Sequence, residues 1–252
     1  MNIPKTSKLS LKKANKNILN NINISISKGE IIALIGPNGS GKSSLLRTLA
    51  AIDLSYLGKI FLNDKNQKNY SLKARSKLIS WSPTYTFCPF PLSVYDFIMI
   101  GRFPWNQGIP NSKDHKKIKN ILQLTSTAHL AKQFFNLLSD GEKKRVLLGR
   151  ALAQQAPIMI FDEICANLDI AQASKIFIIL NNLAQEGRTI FVSTHNLYLA
   201  KKYTHKSIIL SKGNLIDFGK SSLIITQEKI YKAFGLEEVI PKSTKSDLSP
   251  FL

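Results

Sequence analysis

The stretch Gly36-Pro37-Asn38-Gly39-Ser40-Gly41-Lys42-Ser43 joins the apolar run Ile31-Ile32-Ala33-Leu34-Ile35 to the amphipathic Ser44-Leu45-Leu46-Arg47-Thr48-Leu49-Ala50. The run reads as a buried strand and the amphipathic piece as the helix after it. Glycines in the junction allow backbone angles and close approach that a Cβ forbids, so successive amide N–H groups can turn inward around a phosphate. The helix start adds unpaired N–H groups and the positive end of its dipole. Lys42 can reach β- and γ-phosphates as a point charge, and the Ser43 hydroxyl is placed to ligand Mg²⁺. Gly36 through Ser43, with Ser44 behind them, therefore form a candidate binding set for a nucleoside triphosphate.

The chain has 252 residues, enough for one large α/β domain, and no second copy of the loop. One nucleotide-binding core with an inserted helical region is expected. Lys and Arg number 35 against 16 Asp and Glu, a formal charge of +19. Only six of the 35 are Arg, the residue that base and phosphate-fork recognition favours. The excess Lys reads mainly as compositional, with an anionic surface as the alternative, and no nucleic acid is expected. Cys88 and Cys165 show no metal-ligand spacing, which suggests a reducing compartment without disulfides. No apolar segment approaches the ~20 residues that span a bilayer, so a soluble or partner-tethered chain is expected.

Residues 1 to 20 are polar and basic, and Ile22, Ile24 and Ile26 then alternate with polar neighbours as in a half-buried strand. A strand at Lys59-Ile60-Phe61-Leu62, after Gly58, would complete a small antiparallel sheet beside the main one. Another is expected at Leu78-Ile79-Ser80-Trp81, running into a stiff aromatic loop with Tyr85, Phe87 and Phe90 among three prolines. Packing on its own domain and docking another protein are the two readings of that loop. Ser93 is a plausible cap for a helix over Val94–Arg102. One or two polar-faced helices cover Asn111–Phe135, with Ile118, Ile121, Leu122 and Leu124 inward.

Ser139 and Glu142 form a capping-box pattern opening a helix through Ala153, and a helix start is also an anion site. Pro157-Ile158-Met159-Ile160-Phe161-Asp162-Glu163 is an apolar strand ending in two carboxylates, placed where Mg²⁺ and an attacking water are handled. Asn167-Leu168-Asp169 precedes a helix from about Ala171 to Glu186. Thr189 to Ser193 is the next strand, with His195 at its tip. Ser207–Leu210 and Leu215–Phe218 read as a strand pair.

In this order and spacing, the phosphate loop, Leu138-Ser139-Asp140-Gly141-Glu142, Ile160-Phe161-Asp162-Glu163, Asn167-Leu168-Asp169 and His195 resemble the ATP-binding subunit of ABC transporters, from about Ile18 to Val239. The resemblance implies an α/β P-loop NTPase fold of ABC type. It comprises a mixed central sheet, an N-terminal antiparallel β subdomain and a helical subdomain at about 85–155, within one domain over 1–240 and before a polar tail over 241–252. It further implies ATP hydrolysis in a head-to-tail pair of ATPase subunits, homodimeric or mixed. Each ATP lies between the Lys42 loop of one copy and the Leu138–Glu142 signature of the other. Lys42, Glu163 and His195 would be catalytic, Glu163 polarising water and His195 contacting the γ-phosphate. Ser43 and Asp162, with Thr84, would serve Mg²⁺, and Asp169 would couple the two sites. The implied partners are transmembrane permease subunits and, through them, a substrate-binding protein, at the cytoplasmic face of the inner membrane.

Gly101-Arg102-Phe103-Pro104 is similar to a Gly-Arg-x-Pro stretch in importers of ferric siderophores, haem and cobalamin, which makes such an importer the expected function. An exporter ATPase, and a non-transport ABC ATPase acting on nucleic acid or ribosomes, are the alternatives. The sequence departs from the family pattern at Thr84, where the Q-loop glutamine is usual, at Asp140, which replaces a signature glycine, and at Cys165-Ala166-Asn167 before the D-loop. No aromatic precedes Ile18 to stack on adenine; only Lys12-Lys13-Ala14-Asn15-Lys16-Asn17 stands there.

Overall fold

The computed structural model describes residues 2–14 and 16–236. Val239, where the resemblance ends, and the tail over 241–252 lie outside the described residues.

The chain enters through β1 (Asn2–Lys13) and β2 (Lys16–Ile22), an antiparallel pair, and β3 (Ser25–Ser27) adds to β1. This corrects two expectations. The first 20 residues, read only as polar and basic, are mostly strand. Their apolar positions do not alternate cleanly: Thr6, Leu9 and Leu11 are buried, but Lys8 adopts φ 50° and the pairing with the neighbouring strand shifts register between Ser7 and Ser10. A bulge there puts the two halves of β1 out of phase and hides the strand from a period-two reading. Ile22, Ile24 and Ile26 are indeed buried, but no single strand carries them. The Thr6 hydroxyl donates to Ile22 O (2.9 Å) and accepts from Ile24 N (3.0 Å), taking the place of ladder bonds at the break.

The next strand, β4 (Ile31–Ile35), leads through the phosphate loop into α1 (Lys42–Leu49). β5 (Leu57–Leu62) returns antiparallel to β1 and carries the short β6 (Lys65–Asn66), as the small antiparallel sheet requires. After α2 (Leu72–Leu78) and β7 (Ile79–Ser82) come four helices: α3 (Val94–Met99), α4 (Phe103–Asn106), α5 (Ser112–Leu124) and α6 (Asp140–Ala153). The chain then alternates through β8 (Ile158–Phe161), α7 (Ile170–Gln185), β9 (Thr189–Ser193), α8 (Leu197–Tyr203) and β10 (Lys206–Ser211). β11 (Asn214–Lys220), α9 (Ser221–Ile224) and α10 (Gln227–Phe234) complete the described chain.

The described strands form one mixed sheet in the order β6-β5-β1-β2-β11-β10-β4-β9-β8-β7, with β3 beside β1. From β10 to β7 all pairs are parallel. Only Asn20 opposite Asn214 joins the antiparallel part to it. β4, β8 and β9 are buried along their whole length, as central parallel strands covered on both faces should be. Their side chains divide by period two: Met159, Phe161, Ile190 and Val192 face the core shared with α3, α5, α6 and α7, while Ile158, Ile160 and Phe191 face α1 and the antiparallel sheet.

In the helical region, Ser93 caps α3 as expected. A capping box at Asn111 and Asp114 starts α5, which ends at Leu124; short 3₁₀ turns follow at Ala128–Leu130 and Phe135–Leu137. Ile118 and Leu122 face inward, but Leu124 is 48% exposed, so it does not belong to the inner face. The Gly101-Arg102 pair has a packing reason. A Cβ on Gly101 would stand 2.2 Å from Arg150 O. Buried Arg102 donates to Asp114 Oδ1 (2.8 Å), Ala153 O (2.9 Å) and Gln155 Oε1 (2.8 Å), tying the ends of α5 and α6 together.

Candidate active site

The site forms where the parallel strands end. Gly36 leaves β4 with φ 152°, and a Cβ there would lie 2.2 Å from Leu210 O, so the loop can turn tightly beside β10 only with glycine. Pro37 O accepts from Ser40 N, while Asn38 and Gly39 stand exposed at the tip. Gly41, at φ 103°, is the N-cap position of α1, and Leu45 N bonds back to its carbonyl. Lys42, 6% exposed, donates through Nζ to Gly36 O (2.7 Å) and Pro37 O (2.9 Å), which holds the ammonium over the loop. Burial pulls the pKa of Lys42 below the ordinary lysine value, and the Glu163 and Asp162 charges oppose that pull. Ser43 is exposed at the helix start and Ser44 is half-buried behind it. Ser40 Oγ is buried without a hydrogen-bond partner.

Asp162 and Glu163 follow β8, and Ser193 at the end of β9 organises both. Its hydroxyl donates to Asp162 Oδ1 (2.6 Å) and accepts from Glu163 N (2.8 Å). Asp162 N donates to Ser82 O (2.9 Å) at the end of β7. Glu163 adopts φ 54°, an uncommon conformation for a residue with a Cβ, which turns its carboxylate out of the strand line. His195 Nε2 lies 3.1 Å from Glu163 Oε1, with both side chains partly exposed. Lys42, Asp162, Glu163 and His195 thus form one constellation across the tips of β4, β8 and β9.

The signature segment opens α6. Ser139 Oγ donates to Glu142 Oε2 (2.7 Å), which also accepts from Ser139 N (2.9 Å), so the capping box expected from the sequence is formed. Leu138 is buried below it, while Asp140 is exposed and Gly141 half-buried. Asp169 is the N-cap of α7: its Oδ1 accepts from Gln172 N (2.7 Å), and its side chain is otherwise exposed. Thr84 O accepts from Lys144 Nζ (3.0 Å), and the Thr84 side chain is half-buried. Burial pushes the Cys165 thiol up to about 12, so it stays protonated at neutral pH.

Sequence reasoning gave no role to Ser193 or Lys144. Ser193 is the polar end of an otherwise apolar strand, a sign visible only once Asp162 is known to lie beside it. Lys144 sits on the buried face of α6 with Leu147, Leu148 and Ala151, and its neighbours Lys143 and Arg145 mask it as one member of a charge run.

The profile of the ABC transporter family matches residues 19–166, more than half of the chain. The chain belongs to the ABC transporter ATP-binding family. The ABC ATPase is similar to the iron(3+)-hydroxamate import ATP-binding protein FhuC of Bacillus subtilis, 34% identical over 97% of this chain and 93% of that one. A solved ABC transporter described as of metal-chelate type, in an inward-facing conformation, superposes with a TM-score of 0.81 at 28% identity, over 93% of this chain and 90% of that one. The dimeric ABC transporter cassette MJ0796 gives a TM-score of 0.79 at 25% identity, over 87% of this chain and 99% of the cassette. As in its family, the ABC ATPase binds ATP and couples its hydrolysis to transport. Among the described residues, no helix is long and apolar enough to cross a membrane.

Proposed function

We propose that this ABC ATPase energises an importer of an iron chelate, a siderophore or haem, or of cobalamin, working as a pair of ATPase subunits bound to permease subunits at the cytoplasmic face of the membrane. The observation that carries the importer reading is the likeness to the hydroxamate import ATPase along almost the whole of both chains. The metal-chelate transporter adds to it, and the dimeric cassette supports the pairing. The Gly101-Arg102 stretch adds little about substrate, because its contacts are internal to the helical region.

The site's chemistry suits a triphosphate. Lys42, the N–H groups at the start of α1 and the partnerless Ser40 hydroxyl offer positive charge and donors on one wall. Among the described residues no three His, Cys, Asp or Glu side chains could hold a metal by themselves. Mg²⁺ takes most of its shell from phosphates and water, so few protein ligands are needed for it. Ser43 and Asp162, with Thr84, would hold it; when bound it neutralises charge developing on the phosphates. Asp162 is set for this by Ser193, which occupies Oδ1 and leaves Oδ2 for a ligand.

Glu163 takes a proton from the attacking water, and His195 holds that carboxylate and touches the γ-phosphate. Ser139 to Gly141 of the other copy close the site on the far side, and Asp169 links the two sites. The test is uptake of radioiron as a hydroxamate chelate by cells whose only copy is Glu163→Gln. Uptake is expected to fall to background. Undiminished uptake of the hydroxamate, haem and cobalamin alike would overturn the importer reading.

A further inference from the structure

Lys144 is 7% exposed, in the second turn of the signature helix, and its ammonium donates to two main-chain carbonyls that belong to neither that helix nor each other's segment: Thr84 O at 3.0 Å and Glu163 O at 2.9 Å. The Tyr85 ring lies 5.9 Å from the same nitrogen. Both acceptors are backbone atoms, so a change of side chain at 84 or 163 leaves the bonds available.

The second of these bonds completes a clamp. Glu163 N is held by Ser193 Oγ, and Glu163 O accepts from Ala166 N (3.0 Å) as well as from Lys144. Every polar backbone group of the residue is thus engaged while it adopts φ 54°, a conformation that persists only where its surroundings over-determine it. Ser193 acts from β9 and Ala166 from the same turn; Lys144 alone among these three reaches across from α6. A helix is stiff over one turn, so a displacement of Ser139–Gly141 is carried to Lys144 and from there to the residue that faces the water.

We propose that Lys144 is a positioning residue that joins the signature helix to the backbone of Glu163 and to the Thr84 loop, so that seating of Ser139–Gly141 on a partner's ATP sets the hydrolytic carboxylate of its own chain. The inference rests on Glu163 acting as the water-orienting base. Where the family's glutamine is replaced by Thr84, this cation supplies the tie between loop and site. Misplacement of a reacting group by about 1 Å costs on the order of 100-fold in rate, so loss of the tie is expected to act on turnover rather than on nucleotide binding.

The test compares ATP hydrolysis by the full chain as wild type, Lys144→Met and Lys144→Arg. Lys144→Met keeps the length and apolar stem without the donors; it is expected to lower kcat by about tenfold or more, with KM for ATP and the thermal stabilisation by ATP unchanged. Lys144→Arg, which keeps charged donors, is expected to recover much of the lost kcat. Wild-type kcat in Lys144→Met overturns the proposal. So does a loss shared by kcat, KM and melting temperature that Arg does not recover, which marks a packing role. If Lys144→Met fails to fold, Lys144→Leu, which also lacks donors, is read by the same criteria. Loss of turnover in Lys144→Met with Glu163→Gln as active as wild type would instead sink the assignment of Glu163, and with it the proposal.

Discussion

At the scale of single residues, the Ser193 hydroxyl satisfies a buried carboxylate oxygen and a partly buried main-chain N–H at once. Ser193→Ala leaves both without a partner, an expected loss of about 1–3 kcal/mol, measurable by denaturant unfolding, with a fall in turnover as Asp162 and Glu163 lose their common support. Glu163→Gln is expected to keep ATP affinity while lowering kcat by about 100-fold or more, the range of general-base catalysis; equal rates in a steady-state assay would remove Glu163 from its role. The places of Asp162, Glu163 and His195 at strand ends, and of Lys42 at the start of the helix after the phosphate loop, were legible as apolar runs ending in polar residues. Ser193 and Lys144 were not. Their partners lie 31 and 19 residues away along the chain, and sequence spacing carries no sign of which strand tips meet.

Between elements, two ion pairs hold parts of the fold that the main sheet does not. Lys13 at the end of β1 pairs with Asp53 beyond α1, fastening the antiparallel sheet to the segment behind the phosphate loop. The hydrogen bond from Lys13, helped by Ser55, holds the Asp53 carboxyl down to about 2 from the usual 3.8. A depressed carboxylate contributes stability that is complete above the unfolded value and lost as pH falls through the folded one. Unfolding measured against pH is expected to show an Asp53→Asn variant weaker than wild type at neutral pH, with the gap closing between pH 3.8 and about 2.

Arg102 and Asp114 are both buried, at 4% and 2% exposure, so Arg102→Met strands a carboxylate and is expected to cost about 3–5 kcal/mol. Adding Asp114→Leu should restore much of it, which a double-variant cycle would read. The parallel strands were readable as apolar runs. β1 was not, since its bulge at Lys8 breaks the alternation, and Leu124 was misplaced because, two residues beyond Leu122, it lies about 200° further round α5, on the outer side.

For the molecule as a whole, the fold was legible through a resemblance: the loop, two carboxylates and a histidine in that order resemble the ABC ATPases, whose fold the chain shares. What is carried on the surface was not. Tyr85, Phe87 and Phe90 stand 82%, 88% and 69% exposed on one loop between β7 and α3. A free copy of the chain therefore carries an exposed aromatic patch, and its charge of +19 works to hold such copies apart. Its shelf life is then a colloidal matter: between 0.01 and 1 M salt the screening length shrinks from about 30 to about 3 Å. Light scattering is expected to rise along that series, and to rise less when Phe87→Ser and Phe90→Ser are combined.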